Sequence, residues 1–240
     1  MDFSEIKYLC DKLGGYPLVY LAGPYKSGGG SSATTDPEVG GNILKATRFA
    51  KALWGNGVGV LSPHLNTNFE HNGIDQTMVM SICHQMQMCC DALVVMPDSE
   101  NSEGVNEEKK FADSIGQPIF QLSSCDAIHD SQLIMDIKQM IKYPKQYRSM
   151  RILHTMMYFL HVDKNKDYSP RNILGTGIVG VATRIWDKCA RFMNLIGFNI
   201  STGEYCEPKI PKNESIEDTL IDMANYALIA LIYRQGRWAK

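Results

Sequence analysis

The first half of the chain alternates short apolar runs with segments of helical periodicity. "PLVYLAG" (17–23), "VGVLSP" (58–63), "DALVVMP" (91–97) and "QPIFQL" (117–122) are apolar stretches of strand length bounded by turn residues. Between the first two, "GNILKATRFAKALWGNG" (41–57) places Ile43, Leu44, Thr47, Phe49, Ala50, Leu53 and Trp54 at helical spacing, with Gly55 and Gly57 as stop signals. "QTMVMSICHQMQMCC" (76–90) predicts a helix whose methionines and cysteines lie mostly on a buried face, and "VNEEKKFADSIG" (105–116) predicts another. Strands separated by helices of this length need crossover connections, which makes the sheet parallel.

From about Ile134 the strand signals vanish. "KYPKQYRSM" (142–150) carries a helix-breaking proline and a charge cluster, and reads as a joint. Helical segments follow over roughly 150–163, 176–197 and 214–235. The expected architecture is an α/β domain with a parallel, Rossmann-like (flavodoxin-like) sheet over 1–140, then an all-α domain over 150–240. "SGGGSSATT" (27–35) reads as a flexible loop after the first strand.

Composition narrows the function classes. A formal net charge of -2 gives no electrostatic case for nucleic acid or a membrane surface, and 44% hydrophobic with 21% charged residues fits a soluble globular chain. No apolar run approaches a membrane span, and "MDFSEIKYLCDK" lacks the layout of a signal peptide. Seven irregularly spaced cysteines, with Cys89 and Cys90 adjacent, fit neither a disulfide framework nor a zinc knuckle. Reduced thiols in a cytoplasm are the expectation.

In a parallel sheet, ligands sit beyond the carboxyl ends of the strands. "LAGPY", "SPH" and "PDSENSEG" all fall there. Gly23 and Gly28 to Gly30 leave backbone free for close approach, while Ser102, Gly104 and the next helix's first turn offer donors suited to a phosphate. Acidic residues at such a turn ordinarily just complement the helix dipole. The spacing adds more. "SEGVNEEKKFADSIGQPI" resembles the signature of the nucleoside 2-deoxyribosyltransferase superfamily, Ser-x-Gly-x-x-x-Glu-x-x-x-Ala-x-x-x-Gly-x-Pro, through Ser102, Gly104, Glu108, Ala112, Gly116 and Pro118. "YLAGPY" and "CDALVVMP" match in the right order, so the resemblance covers about 18–122 and is similar to the short phage and bacterial branch.

The resemblance implies a glutamate nucleophile, Glu108, attacking the anomeric carbon of a deoxynucleoside or its 5′-phosphate. It implies a 5′-phosphate held by Ser102 and Gly104, and a sugar and base pocket lined by Tyr20, Gly23, Pro24 and Tyr25. Glu107, about 100° round the helix, faces solvent. The family's usual aspartate on the preceding helix falls here on Cys83, with His84 beside it. His84 and Asp75 are therefore candidate proton donors, against ordinary roles as core histidine and helix cap. His64 of "SPH" is a further ligand candidate, against a loop histidine.

In the second half, "NESIEDTLIDMANYALIALIY" (213–233) opens with Asn213 as cap, and Glu214, Asp218 and Asp222 recur every four residues, followed by Asn225. Arg184, Asp187, Lys188 and Arg191 share a face of the preceding helix. Two readings stand: a salt-bridge network, or Mg²⁺ held by Asp187, Glu214, Asp218 and Asp222 with Arg184, Lys188 and Arg191 on phosphates. "KNKDYSPRN…GIVGVATRIWDKCARFMNL…NESIEDTLIDMANYALIA" resembles a nucleotide modification associated domain found mainly in phages. Its acidic helix is similar to that of all-α nucleoside triphosphate pyrophosphatases of the MazG type, without their first-helix Glu-x-x-Glu. Lys164, Asn165, Asp167 and Tyr168 form a polar segment suited to base or phosphate.

Both halves point at nucleotides. The leading expectation is cleavage or exchange of the N-glycosidic bond of a (deoxy)nucleoside 5′-monophosphate, needing no cofactor. The alternatives are nucleotide binding without turnover, and a Mg²⁺-dependent pyrophosphatase in the helical half. The expected partners are a nucleotide substrate and further copies of the chain.

Overall fold

The computed structural model describes residues 16–25, 37–66, 75–123, 131–167, 169–208 and 215–240. The chain divides into two compact units, one ending at Tyr147 and one running from Arg148 to Lys240. The first holds β1 (Leu18–Ala22), α1 (Pro37–Gly55), β2 (Gly59–Leu61), the short α2 (Pro63–Asn66) and α3 (Gln76–Met88). It continues with β3 (Ala92–Val95), α4 (Glu103–Ile115), β4 (Ile119–Gln121) and α5 (Ser131–Gln139).

All four strands are parallel, in the order β2-β1-β3-β4, with Tyr20 opposite Leu61 on one side and Leu93 on the other. Alternation along β1 and β3 explains the layering. Val19, Leu21, Ala92 and Val94 pack with Phe49 and Leu53 of α1 and with Ile134 and Ile137 of α5. Tyr20, Ala22, Leu93 and Val95 pack with Val79 and Cys83 of α3 and with Val105 and Ala112 of α4. Helices thus cover both faces, which is why the central strands read as unbroken apolar runs. The chain leaves β1 toward β2 and returns across it to β3, so the connections diverge between β1 and β3. Crevices form at the carboxyl end of such a divergence.

Three local expectations need correction. On α3 the buried stripe is Val79, Cys83 and Gln87, while Met78 and Met88 are exposed; the stripe follows the i, i+4, i+8 positions and not residue type. Pro144 does not break a helix but begins one, α6 (Pro144–Asp167), where its missing N–H costs nothing. The last helix, α8 (Ile216–Arg234), is capped by Ser215 instead of Asn213, through a reciprocal capping box with Asp218.

The second unit is built from α6, α7 (Arg171–Leu195) and α8, with an isolated antiparallel bridge between Phe198 and Tyr205. Gly177 interrupts α7 at φ 60°, ψ -157°, a conformation that only glycine adopts readily, so α7 is two helices joined at a kink. Ile173, Val181 and Ile229 form a small core between α7 and α8. No helix among the described residues is long and apolar enough to cross a membrane.

Candidate functional site

In the first unit, α4 begins beyond the end of β3. Ser102 caps it, its hydroxyl accepting from the Val105 N–H at 3.5 Å, and Gly116 closes it in the left-handed conformation at φ 68°. Val105, Glu108 and Ala112 share the inward face, which puts a carboxylate among apolar neighbours. Glu108 is only 6% exposed, whereas Glu107 beside it is exposed.

The Tyr20 hydroxyl donates to Glu108 Oε1 at 2.6 Å, a buried bond joining β1 to α4. Burial pushes the Glu108 carboxyl up to about 7; the Tyr20 bond opposes this and the Glu107 charge adds to it. The Tyr20 phenol is driven well above its ordinary value, first by burial and then by the Glu108 and Cys83 charges, so it remains a donor. The Cys83 thiol interacts with the same hydroxyl, and burial raises it too. The side chain from α3 that meets the Tyr20–Glu108 pair is therefore Cys83.

The other α3 candidates are engaged elsewhere. Asp75 caps the helix, accepting from the Thr77 N–H at 3.1 Å. His84 stacks on Phe111 with ring centroids 4.3 Å apart, and its buried Nε2 has no hydrogen-bond partner among the described residues. His64 is 4% exposed and spends Nε2 on the Pro24 carbonyl at 3.1 Å; burial lowers its pKa, so it is the neutral donor pinning the strand-end turn. Tyr25 lies beside it, with centroids 5.6 Å apart, and its carbonyl accepts from Asn42 at 3.2 Å. Gly23 is packed and not open, since a Cβ there would collide with the Met96 side chain. Among the described residues, only the Met80 sulfur comes within reach of such a Cβ at Gly104, at 4.0 Å. Gly28 to Gly30 lie outside the described residues.

Two features of this unit escaped the sequence. Gln87 and Gln117 form a buried amide clasp: Gln87 Nε2 donates to Gln117 Oε1 and to the Glu108 carbonyl, both at 3.0 Å. Gln117 Nε2 returns bonds to the Gln87 and Cys90 carbonyls at 3.1 and 3.0 Å. The clasp fixes α4 against α3 and β3, and with it the depth of Glu108. The signal was the glutamine's place on the Val79–Cys83 stripe. At the end of β3, Asp98 takes a positive φ of 60° and is held by Lys45, whose Nζ lies 2.6 Å from its carboxylate and 3.3 Å from the Pro97 carbonyl.

In the second unit, α6, α7 and α8 line an open pocket of about 290 Å³. Lys164 and Asn165 come from α6, Arg184 from α7, and Asp222, Asn225 and Tyr226 from α8, with Trp238 beyond. The Asp222 carboxylate is clamped by Lys164 at 2.8 Å on Oδ1 and by Lys188 at 2.7 Å on Oδ2. Burial alone would raise its pKa, but bonds and charge from the two lysines outweigh that and hold it below the usual value. Arg184 reaches the Tyr226 hydroxyl at 3.4 Å and lies 5.8 Å over its ring.

Of the four acidic candidates, Asp222 is thus lysine-paired, Asp218 is exposed and spent on the cap, and Asp187 is exposed on α7. Glu214 and Tyr168 lie outside the described residues. No group of three or more His, Cys, Asp or Glu side chains that could hold a metal occurs among the described residues. Lys188 pairs with Asp222 but does not line the pocket, and neither do Arg191 and the exposed Asp167.

A protein family described as a domain of unknown function (DUF4406) matches residues 38–121, from the first turn of α1 to the end of β4. The match includes Glu108 but leaves out β1, which carries Tyr20. No curated protein and no solved structure gives a match.

Proposed function

We propose that the first unit, a Rossmann-like domain, cleaves or exchanges the N-glycosidic bond of a (deoxy)nucleoside 5′-monophosphate, with Glu108 as nucleophile. One observation carries this reading: a carboxylate buried near a helix start, at the sheet's divergence point, bonded to a buried phenol instead of a cation. A structural carboxylate in such a place would be paired with Lys or Arg. With Oε1 held by Tyr20, Oε2 is the oxygen left to attack C1′ as the base departs with the bonding electrons. The glycosyl ester is then opened by water or by a second base. The α4 N-terminus, with Ser102 and Gly104, receives the phosphate.

A second reading, nucleotide binding without turnover, is favoured by Cys83. A thiol raised by burial is a poor proton donor for a departing base. Base release from deoxynucleoside monophosphates, followed by chromatography in wild type and Cys83→Asp, separates the two. Hydrolysis predicts free base from the wild type and more from the variant. Nucleotide retained without free base in both proteins rejects the enzymatic reading.

A further inference from the structure

We infer that the Glu108 site takes a nucleotide whose base is a cationic heteroaromatic ring, a quaternary pyridinium or an N-alkylated purine. This rests on Glu108 as nucleophile and names the substrate class of that same site.

Charge comes first. From Pro97 to Glu108 the chain carries Asp98, Glu100, Glu103, Glu107 and Glu108, and no lysine or arginine. The first four are exposed along the end of β3 and the start of α4. Among the described residues, Lys45 pairs with Asp98, while Glu100, Glu103 and Glu107 have no ion-pair partner. Behind this acidic mouth lies the Glu108 carboxyl, with the Tyr20 phenol on Oε1 and no described cation on Oε2. Once ionised, Glu108 is a buried charge without a counter-ion, which is costly. A neutral base leaves that charge unbalanced, and its phosphate brings more negative charge to a mouth already acidic. A cationic ring supplies the counter-charge where the carboxylate attacks, and favours the ionised form that does so.

Proton supply points the same way. A neutral base departs as an anion unless an acid protonates it. Among the described residues the acid candidates are committed: Asp75 to the α3 cap, His64 to the Pro24 carbonyl, His84 to its stack on Phe111. The α3 side chain that meets the Tyr20–Glu108 pair is the Cys83 thiol, whose pKa burial raises. A quaternary base needs no acid. As Glu108 Oε2 bonds to C1′, the C1′–N electron pair returns to the ring and cancels its charge, so the base leaves neutral. Water then places its hydroxyl on C1′, Glu108 departs as the carboxylate, and one proton is released. A thiol at position 83 is no defect in such a site, because the leaving group asks for no donor there.

The test compares two pairs of charged and neutral compounds on the full chain near neutral pH, by chromatography of released base. One pair is 7-methylguanosine 5′-monophosphate and guanosine 5′-monophosphate; the other is nicotinamide mononucleotide and its reduced, uncharged form. Each rate is divided by that compound's own decay without protein, which removes the greater lability of the charged bases. The charged member of at least one pair is accelerated at least ~100-fold more than its neutral partner, and the pair that responds tells pyridinium from purine. Cys83→Asp, which restores an acid, speeds the neutral members ~10-fold or more and leaves the charged members within about threefold. Equal or smaller acceleration of the charged members, or a charged-member rate that climbs with Cys83→Asp as the neutral one does, overturns the cationic assignment and leaves Glu108 as nucleophile. No base from any of the four, in wild type or variant, rejects the nucleophile itself. If Cys83→Asp fails to fold, the wild-type ratios decide.

Discussion

Glu108 and Asp222 are both carboxylates on inward helix faces, yet their surroundings push them in opposite directions. Glu108 is nearly sealed among apolar residues with a phenol as its bonding partner, so burial dominates and the acid form is favoured. Asp222 is partly buried between two ammonium groups, whose charge outweighs burial, so the anion is favoured. A poised carboxylate suits an attacking group that must exist as an anion yet shed its solvation cheaply. A clamped carboxylate is spent: its lone pairs and charge are committed to lysines. The difference separates a reactive position from an electrostatic one.

Glu108→Gln tests the contrast most severely. The amide keeps the shape and can accept from Tyr20, but cannot attack C1′, so base release should fall by at least about a thousandfold in a chromatographic assay. The same variant should melt higher than wild type above pH 7, because it removes a buried charge. Wild-type turnover, or a lower melting temperature at high pH, would make Glu108 a structural residue. Tyr20→Phe comes next. Losing one hydrogen bond to an ionised group should cost ~10- to 100-fold in rate and move the rate-limiting ionisation above about pH 7.

The pH dependences run in opposite senses. Folded Glu108 keeps its proton up to about pH 7, while its ordinary value is 4.5. Its contribution to stability is therefore complete in acid and disappears as pH rises through that window, just as activity should rise. Asp222, lowered from 3.8, contributes stability at neutral pH that is lost only as pH falls below that value. Thermal melts of wild type and Glu108→Gln across pH 4 to 9 should diverge with rising pH, and parallel curves would remove the buried ionisation.

Local chemistry was legible in the sequence; long-range pairing was not. The four apolar runs announce the strands, most strongly β1 and β3, which are buried on both sides, and the spacing from Ser102 to Pro118 places Glu108 inward and Glu107 outward. Ser215-x-x-Asp218 is itself a readable capping pattern, which the four-residue repeat of acids obscured. Nothing in the local pattern shows that Lys164 reaches Asp222 across 58 positions, or that Gln87 and Gln117 meet across 30. A glutamine on an otherwise apolar stripe carries no sign of its partner, and a row of acids carries none of the lysines that neutralise it.

The smallest effect belongs to the clamp. Lys188→Met keeps most of the stem and removes one charge, so Asp222 loses the bond to Oδ2 and its pKa climbs back toward the ordinary value. With both side chains largely covered, the loss at neutral pH should be about 1 kcal/mol, close to a surface pair and far below a sealed one. The loss should shrink as Asp222 is protonated, so the melting curves of variant and wild type should converge below pH 4. A deficit that persists undiminished into acid would mean that Lys188 acts through packing and not through Asp222. The opposition between the two carboxylates would then rest on Lys164 alone.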